Sequence, residues 1–317
     1  MHQLRVVLPS ASCNLNCKYC INKNNIKGLE VGIDFDKLFA KTDLADFQDI
    51  SIWGGEPLFN PNLEKVLRAL REHYPDKEIF ILSNGTLLNK YYVELFNELD
   101  ISYGISHDGP SQSLRCKDFL QDESYIELLK QLKHFTGFNS VISRDNCDLV
   151  GCYNYFLEAC DGIDCDWQVS FGLFELSEEE LLDFMPSVEQ YAALKKSYKE
   201  IMRLAIHGAK HLDNYAFRYR HRARAPRIWR CGCDGRLTID TGGNVYQCQM
   251  AADRRDLHIS KPSLPFMCIN CRHADYCRGI CPLFPKRLRQ KLCLCHHLYY
   301  DALEELYKEG EDIAPFQ

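Results

Sequence analysis

Leu4-Arg-Val-Val-Leu8-Pro-Ser-Ala-Ser-Cys13-Asn-Leu-Asn-Cys17-Lys-Tyr19-Cys20 is the stretch on which the fold turns. Its first five residues, Leu4–Leu8, are mostly β-branched or aliphatic and read as a buried strand. The strand empties into a loop with Cys13, Cys17 and Cys20 in CxxxCxxC spacing. A strand that ends in such a loop puts its chemistry where α/β sheets carry their sites, beyond the C-terminal strand ends.

Outward from this stretch the same unit repeats. Asp34–Ala40 has helical spacing, Asp49–Trp53 reads as a strand and Asn62–His73 as a helix. Strand Glu78–Leu82 precedes helix Lys90–Leu99, and strand Ile101–Ser106 precedes helix Tyr125–Phe135. Strand Asn139–Ser143, helix Leu149–Cys160 and strand Trp167–Phe174 complete six units. Short β-rich runs alternating with helical patterns mean βαβ units and a parallel sheet, either open and doubly wound or curved into a partial barrel. Glu175–His207 is acidic and then amphipathic, a helix bridging two modules. Beyond Cys231 the chain turns to Gly, Pro and Cys with little periodicity, until a helix near His296–Lys308. Such a stretch buries little apolar area and needs covalent or metal staples. The expected division is 1–180, 181–230 and 231–317.

The chain has 317 residues, 46% of them hydrophobic, and a net charge of −6. There is no global basic field that calls for nucleic acid. No N-terminal apolar segment and no run of 18 apolar residues is present, so the expectation is a cytoplasmic protein without signal peptide or membrane span. Seventeen cysteines are many for such a chain. In a reducing compartment they read as metal ligands or catalytic thiols before disulfides. Three fall in 13–20 and nine in 231–295; Cys116, Cys147, Cys152, Cys160 and Cys165 are scattered and read as small packed hydrophobes.

Closely spaced thiolates on a loop suit an iron–sulfur cluster. Three thiolates leave one iron of a [4Fe–4S] cluster open for reaction. A structural zinc site wants four ligands, and no fourth Cys or His lies nearby. The set Cys13, Cys17, Tyr19, Cys20 resembles the radical SAM superfamily signature. Gly54-Gly55-Glu56-Pro57 resembles the family's GGEP motif, Ser83-Asn84-Gly85-Thr86 its turn after the third strand, and Ser106-His107-Asp108-Gly109-Pro110 its SxDGP segment. The resemblance covers roughly residues 4–175. It implies a partial (β/α)6 TIM-type barrel followed by a small cysteine-rich iron–sulfur domain. It also implies S-adenosylmethionine bound through Gly54, Gly55, Glu56, Pro57, Ser83, Asn84, Ser106 and Asp108, with Arg115 beside its carboxylate. Reductive cleavage to a 5′-deoxyadenosyl radical would then begin the reaction, with an external electron donor of flavodoxin or ferredoxin type.

The C-terminal array resembles the SPASM extension of the same superfamily. Cys233-x9-Gly243-x4-Cys248 precedes Cys268-x2-Cys271-x5-Cys277-x3-Cys281, with Cys293 and Cys295 beyond. The resemblance implies two auxiliary [4Fe–4S] clusters, three in all. Cys233, Cys248 and Cys281, with Cys231 as a fourth candidate, would hold one. Cys268, Cys271, Cys277 and either Cys293 or Cys295 would hold the other. Gly243 reads as a hairpin turn.

Three substrate classes stay open. The first is a ribosomally made precursor peptide or a protein side chain, to be given a thioether, a C–C crosslink or a related change. The second is formylglycine formation in a sulfatase, and the third is dehydrogenation of a small molecule. A non-catalytic iron–sulfur or zinc module is the alternative of another class. Sulfatase maturases place a basic Asp directly after the Cys of the Gly-x4-Cys element; here that residue is Gln249. Asp234, Asp240 and Asp253 lie nearby in sequence and could substitute as the base, Asp234 and Asp240 being the candidates taken forward. No winged-helix peptide-recognition domain fits before Leu4, so leader binding would fall to a separate protein or the barrel rim. Arg218, Arg220, Arg222, Arg224, Arg227 and Arg230 suit either an acidic substrate or a solvated linker.

Overall fold

The computed structural model describes residues 3–8, 13–20, 32–170, 178–213, 236–246, 268, 270–274, 277, 280 and 286–313. Six strands follow the alternation read from the sequence: β1 Gln3–Val7, β2 Asp49–Trp53, β3 Glu78–Ser83, β4 Ile101–Ser106, β5 Phe135–Val141 and β6 Asp166–Ser170. Helices α1 Phe35–Thr42, α2 Leu63–His73, α3 Lys90–Glu98, α4 Glu123–Lys130 and α5 Leu149–Ala159 lie between them. Each strand pairs in parallel with the next, and the sheet order is β6-β5-β4-β3-β2-β1. Leu4, Val6, Ile50, Ile52, Ile79 and Ile81 are fully buried. Strands hidden on both faces read as continuous aliphatic runs for this reason.

Two boundaries differ from the sequence reading. Helix α4 stops at Lys130, and β5 starts at Phe135 rather than Asn139. Gly137 explains the shift. It sits inside β5 at φ +118°, where an added Cβ would lie 1.7 Å from the Asp166 carbonyl oxygen. The β4–β5 register slips nearby, between Tyr103 and Gly104. A glycine that marks a bulge breaks the alternation by which a strand is recognised.

The sheet continues past β1. Strand β7, Arg236–Asp240, pairs in parallel with β1, and β8, Val245–Tyr246, closes a hairpin on it. The turn at Gly243 has φ +81°, and a Cβ there would lie 2.7 Å from Lys37 Cβ at the start of α1. Asp34 N donates to the Thr241 carbonyl at 2.8 Å.

The amphipathic segment forms two helices, α6 Glu178–Phe184 and α7 Tyr191–Ile206, with Pro186 between them where a helix cannot continue. The last helix, α8, spans Lys286–Lys308 and begins ten residues earlier than expected. Leu194, Tyr198, Ile201 and Met202 of α7 and Leu303 and Leu306 of α8 share one core with the barrel. Lys195, Lys199 and Arg203 recur every fourth residue and meet Glu305 and Glu309. Such surface pairs contribute only about 0–1 kcal/mol each but fix helix register.

Candidate active site

Parallel pairing brings the C-terminal ends of β1–β4 to one edge of the sheet, and the loops after them interlock. Glu56, 2% exposed, sits at the end of β2. It caps the 3-10 turn Pro57–Phe59 by accepting from Leu58 N at 3.1 Å. It also accepts from Ser83 Oγ and from Asn84 N, both at 2.6 Å, after β3. Burial pushes its pKa up, and these three donors oppose the rise. The carboxylate thus ties two strand-end loops together. Its neighbour Gly54 lies against Leu8 at the end of β1.

The turn after β3 holds the cysteine loop. Asn84 Nδ2 donates to Asn14 Oδ1 at 2.9 Å and points at Cys13 Sγ at 3.8 Å. Asn14 Nδ2 reaches Thr86 Oγ1 at 2.8 Å, and Leu15 N donates to Cys13 Sγ at 3.4 Å. Burial raises the Cys17 thiol to about 11; Arg115 opposes this, while Cys20 and Cys13 add to it. The Leu15 and Asn84 N–H donors at Cys13 and the Arg115 cation near Cys17 favour the thiolate form that cluster irons bind, against the burial that raises both thiols. No three Cys, His, Asp or Glu among the described residues converge tightly enough for a single metal ion. The donor set, three cysteine sulfurs on one loop with the Leu15 and Asn84 N–H groups at Cys13, fits the thiolate ligation of a [4Fe–4S] cluster.

Asp108 anchors the same loop from the far side. It is fully buried and accepts from Arg115 Nε at 2.9 Å, from Val141 N at 2.8 Å and from the Tyr19 hydroxyl. Burial raises its pKa and Arg115 counters it. The Arg115 guanidinium also lies over the Tyr19 ring, 5.0 Å from its centre. Asp108 and Arg115, expected as ligand contacts, are thus engaged with the residue just before Cys20. Ser106 ends β4 and is partly exposed. Gly109 has φ +58° and lies so close to Cys152 that a Cβ would come within 2.7 Å of its sulfur.

One arrangement escaped the sequence reading. His107 is fully buried, with Nδ1 accepting from Gly109 N at 3.0 Å and Nε2 on Asp118 at 3.1 Å. Asp118 also takes the Tyr155 hydroxyl at 2.7 Å. Burial works against the Asp118 carboxylate, but His107 and Tyr155 outweigh it and bring its pKa to about 2. Asp118, Thr86, Cys116, Phe119 and Tyr125 line an open pocket of about 730 Å³ beside the cysteine loop. No spacing signal marks His107 or Asp118; only the strand end after β4 does.

In the C-terminal array, Cys293 faces Cys277, Cys268 and Cys271, and burial with these thiols raises it to about 11. Cys295 lies on another side of α8, fully buried with Tyr19, Val141, Met185, Leu288 and Leu292. Residues two apart on a helix point about 200° apart, so both cannot face one loop. Asp240 is 2% exposed and accepts from Gly242 N, Asn244 N, Asn244 Nδ2 and the Tyr246 hydroxyl, all inside the β7–β8 hairpin. Cys231, Cys233, Asp234, Cys248, Gln249, Cys281 and the arginines of 218–230 lie outside the described residues. No described helix is long and apolar enough to cross a membrane.

A parallel sheet with a CxxxCxxC loop at its first strand end defines a class. Residues 7–142 match the model of the radical SAM superfamily, so this part of the chain is a radical SAM domain. Such a domain implies S-adenosylmethionine and a [4Fe–4S] cluster. Among individual relatives, the radical SAM cyclopropyl synthase TigE of Paramaledivibacter caminithermalis is 27% identical over 86% of this chain. A protein of Methanocaldococcus jannaschii is 32% identical over 57% of it. The chain spans 66% of the length of each. A cysteine-type anaerobic sulfatase-maturating enzyme of Clostridium perfringens is 27% identical over 47% of this chain and 46% of its own. Of solved structures, anSMEcpe with bound AdoMet and the Kp18Cys peptide superposes with TM-score 0.65 at 17% identity, covering 97% of this chain and 99% of that one. Streptococcus suis SuiB bound to its precursor peptide SuiA gives 0.57 at 16% identity, covering 88% and 71%. At these identities the two likenesses establish the fold.

Proposed function

We propose that this protein is a radical SAM oxidoreductase that modifies a side chain of a peptide or protein substrate. The observation that carries the reading is the interlocked strand-end edge: Cys13, Cys17 and Cys20 held by Asn84, Leu15 and the Tyr19–Asp108–Arg115 group. The peptide-bound state of two structural neighbours supports the substrate class.

When bound, the cluster and S-adenosylmethionine supply one-electron chemistry that begins with hydrogen abstraction. The chain's own residues do the rest. Cys13, Cys17 and Cys20 would hold the cluster. Asn84 and Leu15 donate toward the Cys13 sulfur and stabilise its charge. Glu56 fixes the loops after β2 and β3, and Asp108 fixes Tyr19 and Arg115. Gly54, Gly55, Pro57, Ser83 and Ser106 are the remaining strand-end residues that would hold the cofactor.

Two auxiliary clusters complete the proposal. Cys233, Cys248, Cys281 and Cys231 hold the first. Cys268, Cys271, Cys277 and Cys293 hold the second, because α8 turns Cys293 and not Cys295 toward the other three thiols. Their role is to carry away the electron left after abstraction, while an external donor of flavodoxin or ferredoxin type supplies the electron that starts the reaction. A separate leader-recognition protein is a further expected partner. Asp240 serves as the hairpin's staple, since its oxygens are occupied there, which leaves Asp234, outside the described residues, as a candidate for a base.

Formylglycine formation is the second reading. The match to anSMEcpe along nearly the whole chain favours it, and Gln249 in the place of the basic Asp weighs against it. Anaerobic reconstitution with iron and sulfide tests the cluster assignment: about twelve irons per chain support it, and about four would exclude the auxiliary pair. Incubation with a precursor peptide or with a Cys-containing sulfatase peptide, read by mass spectrometry, separates the two substrate readings.

A further inference from the structure

Helix α8 carries more than one ligand candidate on the face that meets the C-terminal cysteine loop. Cys293 and His297 are four residues apart and therefore neighbours on that face. His297 Nε2 lies 3.5 Å from Cys271 Sγ. The ring is held edge-on against His273, with centroids 4.9 Å apart. His273 is itself fully buried, stacks on Tyr300 at 5.5 Å and has Nε2 2.8 Å from Asp301 Oδ1. Asp301 is a further turn along α8 and is also held by Arg272, the residue after Cys271. Thus loop and helix lock one imidazole nitrogen onto one sulfur.

We propose that His297 is a positioning residue for the second auxiliary cluster: its Nε2–H donates to the Cys271 thiolate and raises that cluster's reduction potential. The inference rests on the cluster assignment made above for Cys268, Cys271, Cys277 and Cys293. Hydrogen bonds to the sulfurs are among the factors that set cluster potentials. An N–H donor stabilises the more negative, reduced cluster more than the oxidised one. On reduction one electron enters the cluster from the external donor; the proton stays on Nε2 and no bond is made or broken. Groups beyond the ligands of this kind orient and tune a metal site without belonging to it.

The test is potentiometric titration of the reconstituted full chain, followed by electron paramagnetic resonance, for wild type, His297→Phe and His297→Gln. Phe keeps a ring against His273 and removes the donor; Gln restores a donor. The expected result is an unchanged iron content in His297→Phe, with one auxiliary signal moved to more negative potential. About a tenfold fall in its reduction equilibrium constant, 59 mV for one electron, is the expected size, with partial return in His297→Gln. Unchanged potentials in His297→Phe would overturn the proposal. So would loss of about four irons in both variants, which would make His297 a ligand. If wild type itself holds only about four irons, the auxiliary-cluster reading fails first and this inference with it, a result visible before any variant is made. Should His297→Phe not fold, His297→Leu and the Gln variant give the same comparison.

Discussion

Cys13, Cys17 and Cys20 sit on a short loop held by side chains from neighbouring strand ends, whereas Cys293 sits on a 23-residue helix that fixes its direction by itself. Each region also sets a fully buried histidine on a partly buried aspartate, His107 on Asp118 in one and His273 on Asp301 in the other. The loop gains its rigidity from long-range partners: Tyr19 and Asp108 are 89 residues apart. The helix gains it from local hydrogen bonding. A loop site is therefore sensitive to changes far away in sequence, and a helix site chiefly to which face a residue occupies.

The largest expected effect breaks the loop side. Replacing Cys13, Cys17 and Cys20 together by Ala should abolish 5′-deoxyadenosine formation and remove about four irons; product formed by the triple variant would end the central assignment. The helix side is sharpened by two single changes. Cys293→Ala should lose about four irons, while Cys295→Ala should keep them and lose about 1 kcal/mol of stability for a small core truncation. The reverse pattern of iron contents would mean that α8 presents its other face.

Asp108→Asn tests dependence on distant partners. It leaves the Arg115 guanidinium largely buried without its counter-ion, at a cost of about 3 kcal/mol. The melting temperature should fall, and S-adenosylmethionine cleavage should slow with iron content retained. The smallest effect is at Asp118, whose pKa of about 2 lies below the ordinary 3.8. A carboxylate depressed in the folded state adds stability above its unfolded pKa and loses it as pH falls toward the folded one. Asp118→Asn should therefore cost about 1 kcal/mol at pH 7, allowing for solvent screening. The gap from wild type should close between about pH 4 and pH 2, as read by denaturant unfolding. A constant gap across that range would assign the cost to packing.

The order of strands and the ends that carry the motifs were legible because apolar runs and glycine-rich turns are local signals. Strand β5 was misplaced because Gly137 interrupts its pattern. The start of α8 was missed for a different reason. Leu288, Leu292 and Cys295 have helical spacing, but the cysteines there read as ligands and masked the period. The roles of Glu56 and Asp108 in binding other loops, and the His107–Asp118–Tyr155 arrangement, depend on which strand ends lie side by side. No spacing in the sequence carries that information.

The pairing of β7 with β1 has a consequence for dissecting the molecule. Leu4, Val6 and Val7 are buried, and β7 covers the backbone edge of the strand that leads to the first cysteine loop. A chain cut after residue 213 would bare that edge, a row of unpaired N–H and C=O groups flanked by aliphatic side chains, which is a template for pairing between molecules. A shortened barrel should therefore aggregate before its chemistry could be assayed.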